Sequence, residues 1–125
     1  MAKHPSTNGP VPEALLPLTH IVYHILLSLT GGEKHGYAII KDLAARTRGR
    51  VEIEAGTLYA AIKRMRDDGL LDEVEAPRGT DARRRYYAIT PFGRDVLHLE
   101  FLRLEAMVNL AREADILASP PPARA

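Results

Sequence analysis

A chain of 125 residues without internal repeats is expected to form one domain around a small core. Its charges nearly cancel, with 17 Lys and Arg against 16 Asp and Glu for a formal net of +1, so bulk charge alone supports no claim of nucleic-acid binding. The absence of cysteine excludes disulfides, thiolate metal sites and thiol nucleophiles.

The first thirteen residues are polar and rich in Pro and Gly, so residues 1–13 read as a flexible tail. The longest apolar run, 21–29, is broken by Tyr23, His24 and Ser28. No signal peptide or membrane span is therefore expected, and a cytoplasmic location is. From Leu15 to Thr30, Leu18, Ile21, Val22, Ile25, Leu26 and Leu29 follow helical spacing, with Thr19 or the Pro17 region as the start and Gly31 and Gly32 as the stop. A second helix is expected from His35 to Thr47, capped by His35 and burying Tyr37, Ile40, Leu43 and Ala44; Gly49 suits the left-handed position past its end. Val51 and Ile53 alternate with Glu52 and Glu54 as a short extended link.

The third helix, Glu54 to Leu70, has an apolar stripe of Leu58, Ile62 and Met65. Its opposite face carries Gly56, Ala60, Lys63 and Asp67, with Thr57, Tyr59 and Arg64 on the shoulders. Small residues and hydroxyls come first and fixed positive charge a turn later, a layout suited to a helix entering a DNA major groove by its N-terminus. An ordinary solvated helix face would look similar, so the next segment matters. Leu70 to Ala76 and Arg84 to Ile89 read as strands joined by a basic loop, PRGTDAR. Cations cluster at Arg46, Arg48 and Arg50, at Lys63, Arg64 and Arg66, and at Arg78, Arg83, Arg84 and Arg85, with acidic residues interspersed.

Thr90 followed by Pro91 opens a last helix running to about Ala118, roughly 40 Å long at about 1.5 Å per residue. Its apolar residues form two stripes, and a core this small covers only one. Leu97, Phe101, Leu104 and Val108 of the second stripe are expected in an isologous homodimer interface. Residues 119–125, with three prolines, read as tail.

Three helices followed by a hairpin make a mainly α winged helix-turn-helix over residues 14–90, with a long C-terminal dimerisation helix over 91–118. Gly56, Thr57, Tyr59, Ala60, Lys63 and Arg64 are the expected contacts of the recognition helix, and Arg78, Arg83 and Arg84 those of the wing with flanking phosphates. The alternative is a winged-helix protein-interaction module without DNA binding, which would have no need of so many wing arginines.

The stretches LTHIVYHILLSLTGGEKHGYAIIKDL, EAGTLYAAIKRMRDDGLL and RRRYYAITPFGRDVL resemble the PadR family of transcriptional regulators. HGY opens helix two, GTLY opens the recognition helix, and RYY is followed by T-P-x-G at the family's separations. The resemblance covers about Leu15 to Ala114 and implies a homodimeric repressor on an operator, dimerising through its C-terminal helix and often released by a small molecule. The single C-terminal helix is similar to that of the smaller members. Some members seat a flat aromatic effector between tryptophans, and this chain has none.

The recognition helices of a dimer must match two half-sites, so a ligand that alters the angle between subunits would weaken DNA binding. Any such site is expected to be apolar and to lie between the first and last helices, lined by Ile21, Ile25, Phe101 and Leu104, with Tyr23 or His24 as a polar handle; the alternative is a repressor with no effector, controlled by its own abundance. His20 and His24 have the i, i+4 spacing of metal ligands, but no cysteine or clear third ligand stands near, although His98 or Asp95 could approach. No metal or other cofactor is expected. With no Gly-rich phosphate loop and serine only at Ser6, Ser28 and Ser119, neither is enzymatic activity.

Overall fold

The computed structural model describes residues 11–118 and 120–123. Four helices surround one core and a small antiparallel sheet closes one side, the mainly α winged architecture expected from the sequence. Helix α1, His20–Leu29, starts where the Thr19 side chain accepts the Val22 N–H. Strand β1, Lys34–His35, leads directly into α2, Gly36–Arg46, whose cap is the His35 Nδ1 accepting the Ala38 N–H at 3.0 Å. Beyond it, Gly49 takes φ +81° and donates to Ala44 O at 2.7 Å. Helix α3, Ala55–Asp67, buries Leu58, Ile62 and Met65 and ends before Gly69, at φ +79°. Strands β2, Leu71–Val74, and β3, Tyr86–Ile89, form the hairpin, and α4 is Pro91–Glu113.

Ile25, Leu26 and Leu29 of α1 meet Ile39 and Leu43 of α2, the apolar stripe of α3, Leu71 of β2 and Val96 of α4, all essentially inaccessible to water. Thr90 joins α4 to this core: its hydroxyl accepts the Gly93 N–H and donates to Gly69 O, while its amide donates to Leu70 O. A Cβ on Gly93 would stand 2.1 Å from Leu70 O, so only glycine allows the first turn of α4 so close to the corner between α3 and β2.

Several expectations require correction. The hairpin belongs to a three-stranded sheet of order β1-β3-β2, because Lys34 and His35 pair with Tyr87 and Tyr86. The first helix begins at His20 behind the Thr19 cap, one of the two expected starts, while Pro12–Leu15 is a separate 3-10 turn, and the Leu18 N–H is taken by the Glu100 carboxylate at 2.9 Å. The expected N-terminal tail therefore ends earlier, since Pro12 and Glu13 belong to this turn; residues 1–10, 119 and 124–125 of the expected tails lie outside the described residues. Both strands are shorter than expected, while Val51–Ile53 is a link outside any strand, as expected, with both apolar side chains turned toward the core. Helix α4 stops at Glu113, with Asp115 at φ +57° separating it from a 3-10 turn at Ile116–Ala118. Its 23 residues span about 35 Å, and it buries only Gly93, Val96, Leu97 and Glu100.

Candidate nucleic-acid interface

Because Leu58, Ile62 and Met65 anchor α3 in the core, with Ala61 partly buried beside them, its other positions point outward. Gly56, Thr57, Ala60, Lys63 and Arg64 are all exposed, and Tyr59 is about half exposed. The face is not uniform. Thr57, Ala60 and Arg64 lie on the side toward α1 and the N-terminal segment, where with Leu15, Leu18, Ile21 and Val22 they line a cleft of about 300 Å³. Tyr59 lies on the other side, against α2. A Cβ on Gly36 would come within 2.2 Å of the Tyr59 hydroxyl, so the glycine of HGY and the tyrosine of GTLY are packed against each other.

This contact draws the start of α2 and the wing into one cleft, lined by His35, Gly36, Tyr37, Tyr59, Arg83, Arg84, Arg85 and Tyr87. The Arg84 Nη1 is 3.1 Å from both ring nitrogens of His35. Since Nδ1 already accepts the Ala38 N–H, the guanidinium is packed on the ring as a whole rather than bonded to one lone pair. Burial first, and Arg84 second, lowers the His35 pKa, which favours the neutral ring that its capping role requires. Tyr37, 57% exposed, is parallel to the His35 ring, and Lys41 Nζ stands 5.4 Å from the Tyr37 centroid. His35 and Tyr37 join this cationic and aromatic surface although sequence reasoning placed neither on it; the signal was their position in HGY, read only as capping and packing.

The wing cations differ in their freedom. Arg83 is bound to Asp81 through Nε at 3.1 Å and Nη2 at 3.3 Å, and this holds the Asp81 carboxyl below its ordinary pKa. Lys63 is 3.7 Å from Asp67, and Arg66 and Arg85 share Glu73. Exposed pairs of this kind are weak, about 0–1 kcal/mol, so a phosphate can displace the carboxylate. Arg64, Arg78 and Arg84 have no carboxylate partner within ion-pair distance among the described residues.

At the far end, Leu97 is covered by its own core, so it is not available in the way Phe101 and Val108 are, at 52% and 50% exposed; Leu104 is half-buried. Leu102, Met107 and Leu110 are exposed as well. The six residues expected around an effector do not share a cavity within one chain. Tyr23 and Phe101 line a shallow cleft of about 280 Å³ with Leu27, Leu97 and His98; Ile21 faces α3; His24 faces the arginines after α2; and Ile25 is fully buried. His98 is thus in a different cleft from the His20–His24 pair, and no group of three metal-ligating side chains exists among the described residues. No described helix is long and apolar enough to cross a membrane.

Residues 25–99 match the family model described as the transcriptional regulator PadR-like family. A transcriptional regulator of Mycobacterium tuberculosis is 38% identical over 91 residues, covering 72% of this chain and 78% of that protein. A PadR family transcription regulator from Clostridium difficile R20291 superposes with a TM-score of 0.65 at 26% identity, over 76% of this chain and 97% of that one. Bacillus subtilis PadR, solved in complex with operator DNA, has the same fold with a TM-score of 0.56 at 22% identity, over 86% of this chain and 52% of that one.

Proposed function

This chain belongs to the PadR-like family of transcriptional regulators, and from that premise we propose that it is a repressor that binds an inverted-repeat operator as a homodimer. The observation that carries this reading is the contact of Tyr59 with Gly36, which joins the exposed polar face of α3 to the arginine-bearing wing in one surface. Thr57, Ala60 and Lys63 read base edges from α3, with Gly56 allowing close approach. Arg78, Arg83 and Arg84 neutralise phosphates from the wing, with Arg64 doing so from α3. The operator-bound relative in Bacillus subtilis supports the assignment.

Pairing rests on α4. Phe101, Met107 and Val108, 50–52% exposed, share one side of a helix that has left its own core. A second copy of the same helix covers such a face isologously. Two-fold pairing sets the recognition helices at half-sites about one helical turn apart, hence an inverted repeat. A small-molecule effector would act at the apolar cleft of Tyr23, Leu97 and Phe101, where α1 meets α4, by binding more tightly to a dimer geometry that does not match DNA.

The test is fluorescence anisotropy with DNA from just upstream of the chain's own coding sequence. A complex of one protein pair per duplex, competed far less well by random DNA than by the same sequence, is expected. Equal competition by random DNA at physiological salt would overturn the reading in favour of a protein-interaction module.

A further inference from the structure

One cationic cluster stands apart from the recognition helix and the wing. His20 and His24 lie one turn apart on α1, and the end of α2 with its following loop sets Arg46, Arg48 and Arg50 across from them. With Thr47 and Val51 these residues line an open cleft of about 600 Å³ that contains no carboxylate in its lining. Two acidic groups stand close by. Asp42 holds Arg46 at 2.8 Å, and Glu52 Oε2 lies 3.5 Å from the place a Gly49 Cβ would take. Arg48 and Arg50 are exposed and in no ion pair among the described residues.

The loop that carries these arginines is pinned. Arg48 at φ +54° and Gly49 at φ +81° are both left-handed, a conformation that a non-glycine residue adopts only when its surroundings hold it there. It is held by the Gly49 N–H on Ala44 O at 2.7 Å and by Thr47, whose hydroxyl donates to Leu43 O and accepts the Val51 N–H at 2.9 Å. The opposite wall is ordered too, with the His20 and His24 rings edge to face at 4.6 Å and Tyr23 at 5.6 Å from His24. Two unpaired guanidiniums facing two imidazoles across a gap present many N–H donors and no acceptor of opposite charge, which is the complement of a tetrahedral oxyanion with several acceptor oxygens. The gap exceeds one such group.

We propose that the cleft between His20 and His24 of α1 and Arg48 and Arg50 of the loop after α2 binds the phosphoryl groups of a ligand carrying more than one phosphate. Two sources share this chemistry. One is the operator backbone, since the same loop delivers the chain to the start of α3 at Ala55; that source rests on the reading above. The other is a free phosphorylated small molecule, which requires no DNA.

The experiment uses the full chain and two probes. In the first arm, sodium pyrophosphate is titrated into protein with labelled histidines, and the imidazole resonances of His20 and His24 are followed by NMR. In the second, the salt dependence of binding to a duplex is measured for the wild type and for Arg48→Ala/Arg50→Ala. His20→Gln/His24→Gln serves as the independent variant, and amide dispersion verifies that each variant is folded.

Saturable shifts of both imidazoles, abolished in the arginine variant, with an unchanged DNA salt slope, support a free phosphorylated ligand. A slope reduced by roughly 0.9 for each phosphate no longer neutralised supports the operator backbone and stands whether or not the chain discriminates between sequences. Failure of the recognition-helix reading would instead show as equal binding to operator and random DNA, leaving the pyrophosphate arm intact. Unmoved imidazoles together with an unchanged slope in both folded variants would overturn the proposal.

Discussion

Removing the Glu100 carboxylate should loosen α4 from the domain. Glu100 is 2% exposed; it accepts the Leu18 N–H at 2.9 Å and two N–H groups of Arg103, one of them at 3.0 Å. In Glu100→Ala, the part-buried Leu18 amide loses a charged acceptor, a loss of roughly 1.5–3 kcal/mol, and the missing side chain leaves a void worth roughly 1 kcal/mol more. Arg103, a third exposed, can turn to water, and relief of the buried carboxylate's desolvation offsets part of the loss. The net is about 2–3 kcal/mol, or a fall in Tm on the order of 10 °C for a domain of this size. Glu100→Gln keeps the shape and one acceptor and should lose about half as much.

The acid limb gives a second reading of the same group. Arg103, aided by the Leu18 N–H and opposed by burial, holds the Glu100 carboxyl below its ordinary pKa. Its contribution to stability is therefore fully present above the unfolded glutamate value of about 4.3 and is lost as pH falls through the lower folded value. Circular dichroism melts from pH 7 to 3, at one protein concentration, should show this loss in the wild type and a shallower one in Glu100→Gln. Identical melting temperatures for all three proteins, or a wild-type acid limb in the Gln variant, would refute the reasoning.

Gly36→Ala should displace the Tyr59 ring and weaken operator binding about tenfold or more while changing Tm little, because Tyr59 is half exposed and can swing outward; anisotropy beside a thermal melt checks both. His35, whose folded pKa is lowered, supplies a cap that is intact above the unfolded value of about 6.5 and is lost as pH falls from there through the folded value. His35→Ala should accordingly be less stable than the wild type at pH 7.5, by about 1 kcal/mol, and show a flatter stability curve between pH 7 and 5. Leu104→Asp and Val108→Asp place charges on the proposed pairing face of α4, and sedimentation should find the wild type dimeric and both variants monomeric or aggregated. A folded wild-type monomer at tens of micromolar that still bound its operator would refute the pairing.

The helices were legible because each repeats apolar residues at helical spacing, and the Thr90–Pro91 start of α4 was legible because a hydroxyl cap followed by proline is a local signal. Strand β1 was not, since Lys34 and His35 are extended only where β3 offers them a free edge, and their partners there, Tyr87 and Tyr86, are distant in the chain. Glu100 left a signal that went unread: it stands on the same helical face as Val96 and Leu97, with Arg103 three residues on, so a carboxylate on the core face had its partner nearby. Periodicity placed Tyr59 on the shoulder of the recognition face but could not show that Gly36 would sit against its hydroxyl. Net charge near zero hid the pairing of Arg83 with Asp81, which decides which wing arginines are free before DNA arrives. The expected effector residues separated because α1 turns Ile21, Tyr23 and His24 toward three different neighbours, as successive positions on a helix must.

The most direct test of operator recognition is the ratio of affinities for an inverted-repeat operator and a scrambled duplex of equal length, measured at several salt concentrations for the wild type, Lys63→Ala and Arg84→Ala. Lys63→Ala should lower the ratio by the equivalent of roughly 1–3 kcal/mol for each base edge no longer read. Arg84→Ala should leave the ratio unchanged, weaken both duplexes alike and reduce the salt slope by roughly 0.9. If both substitutions lower binding to the two duplexes equally, α3 does not read sequence and the assignment of the recognition helix is contradicted.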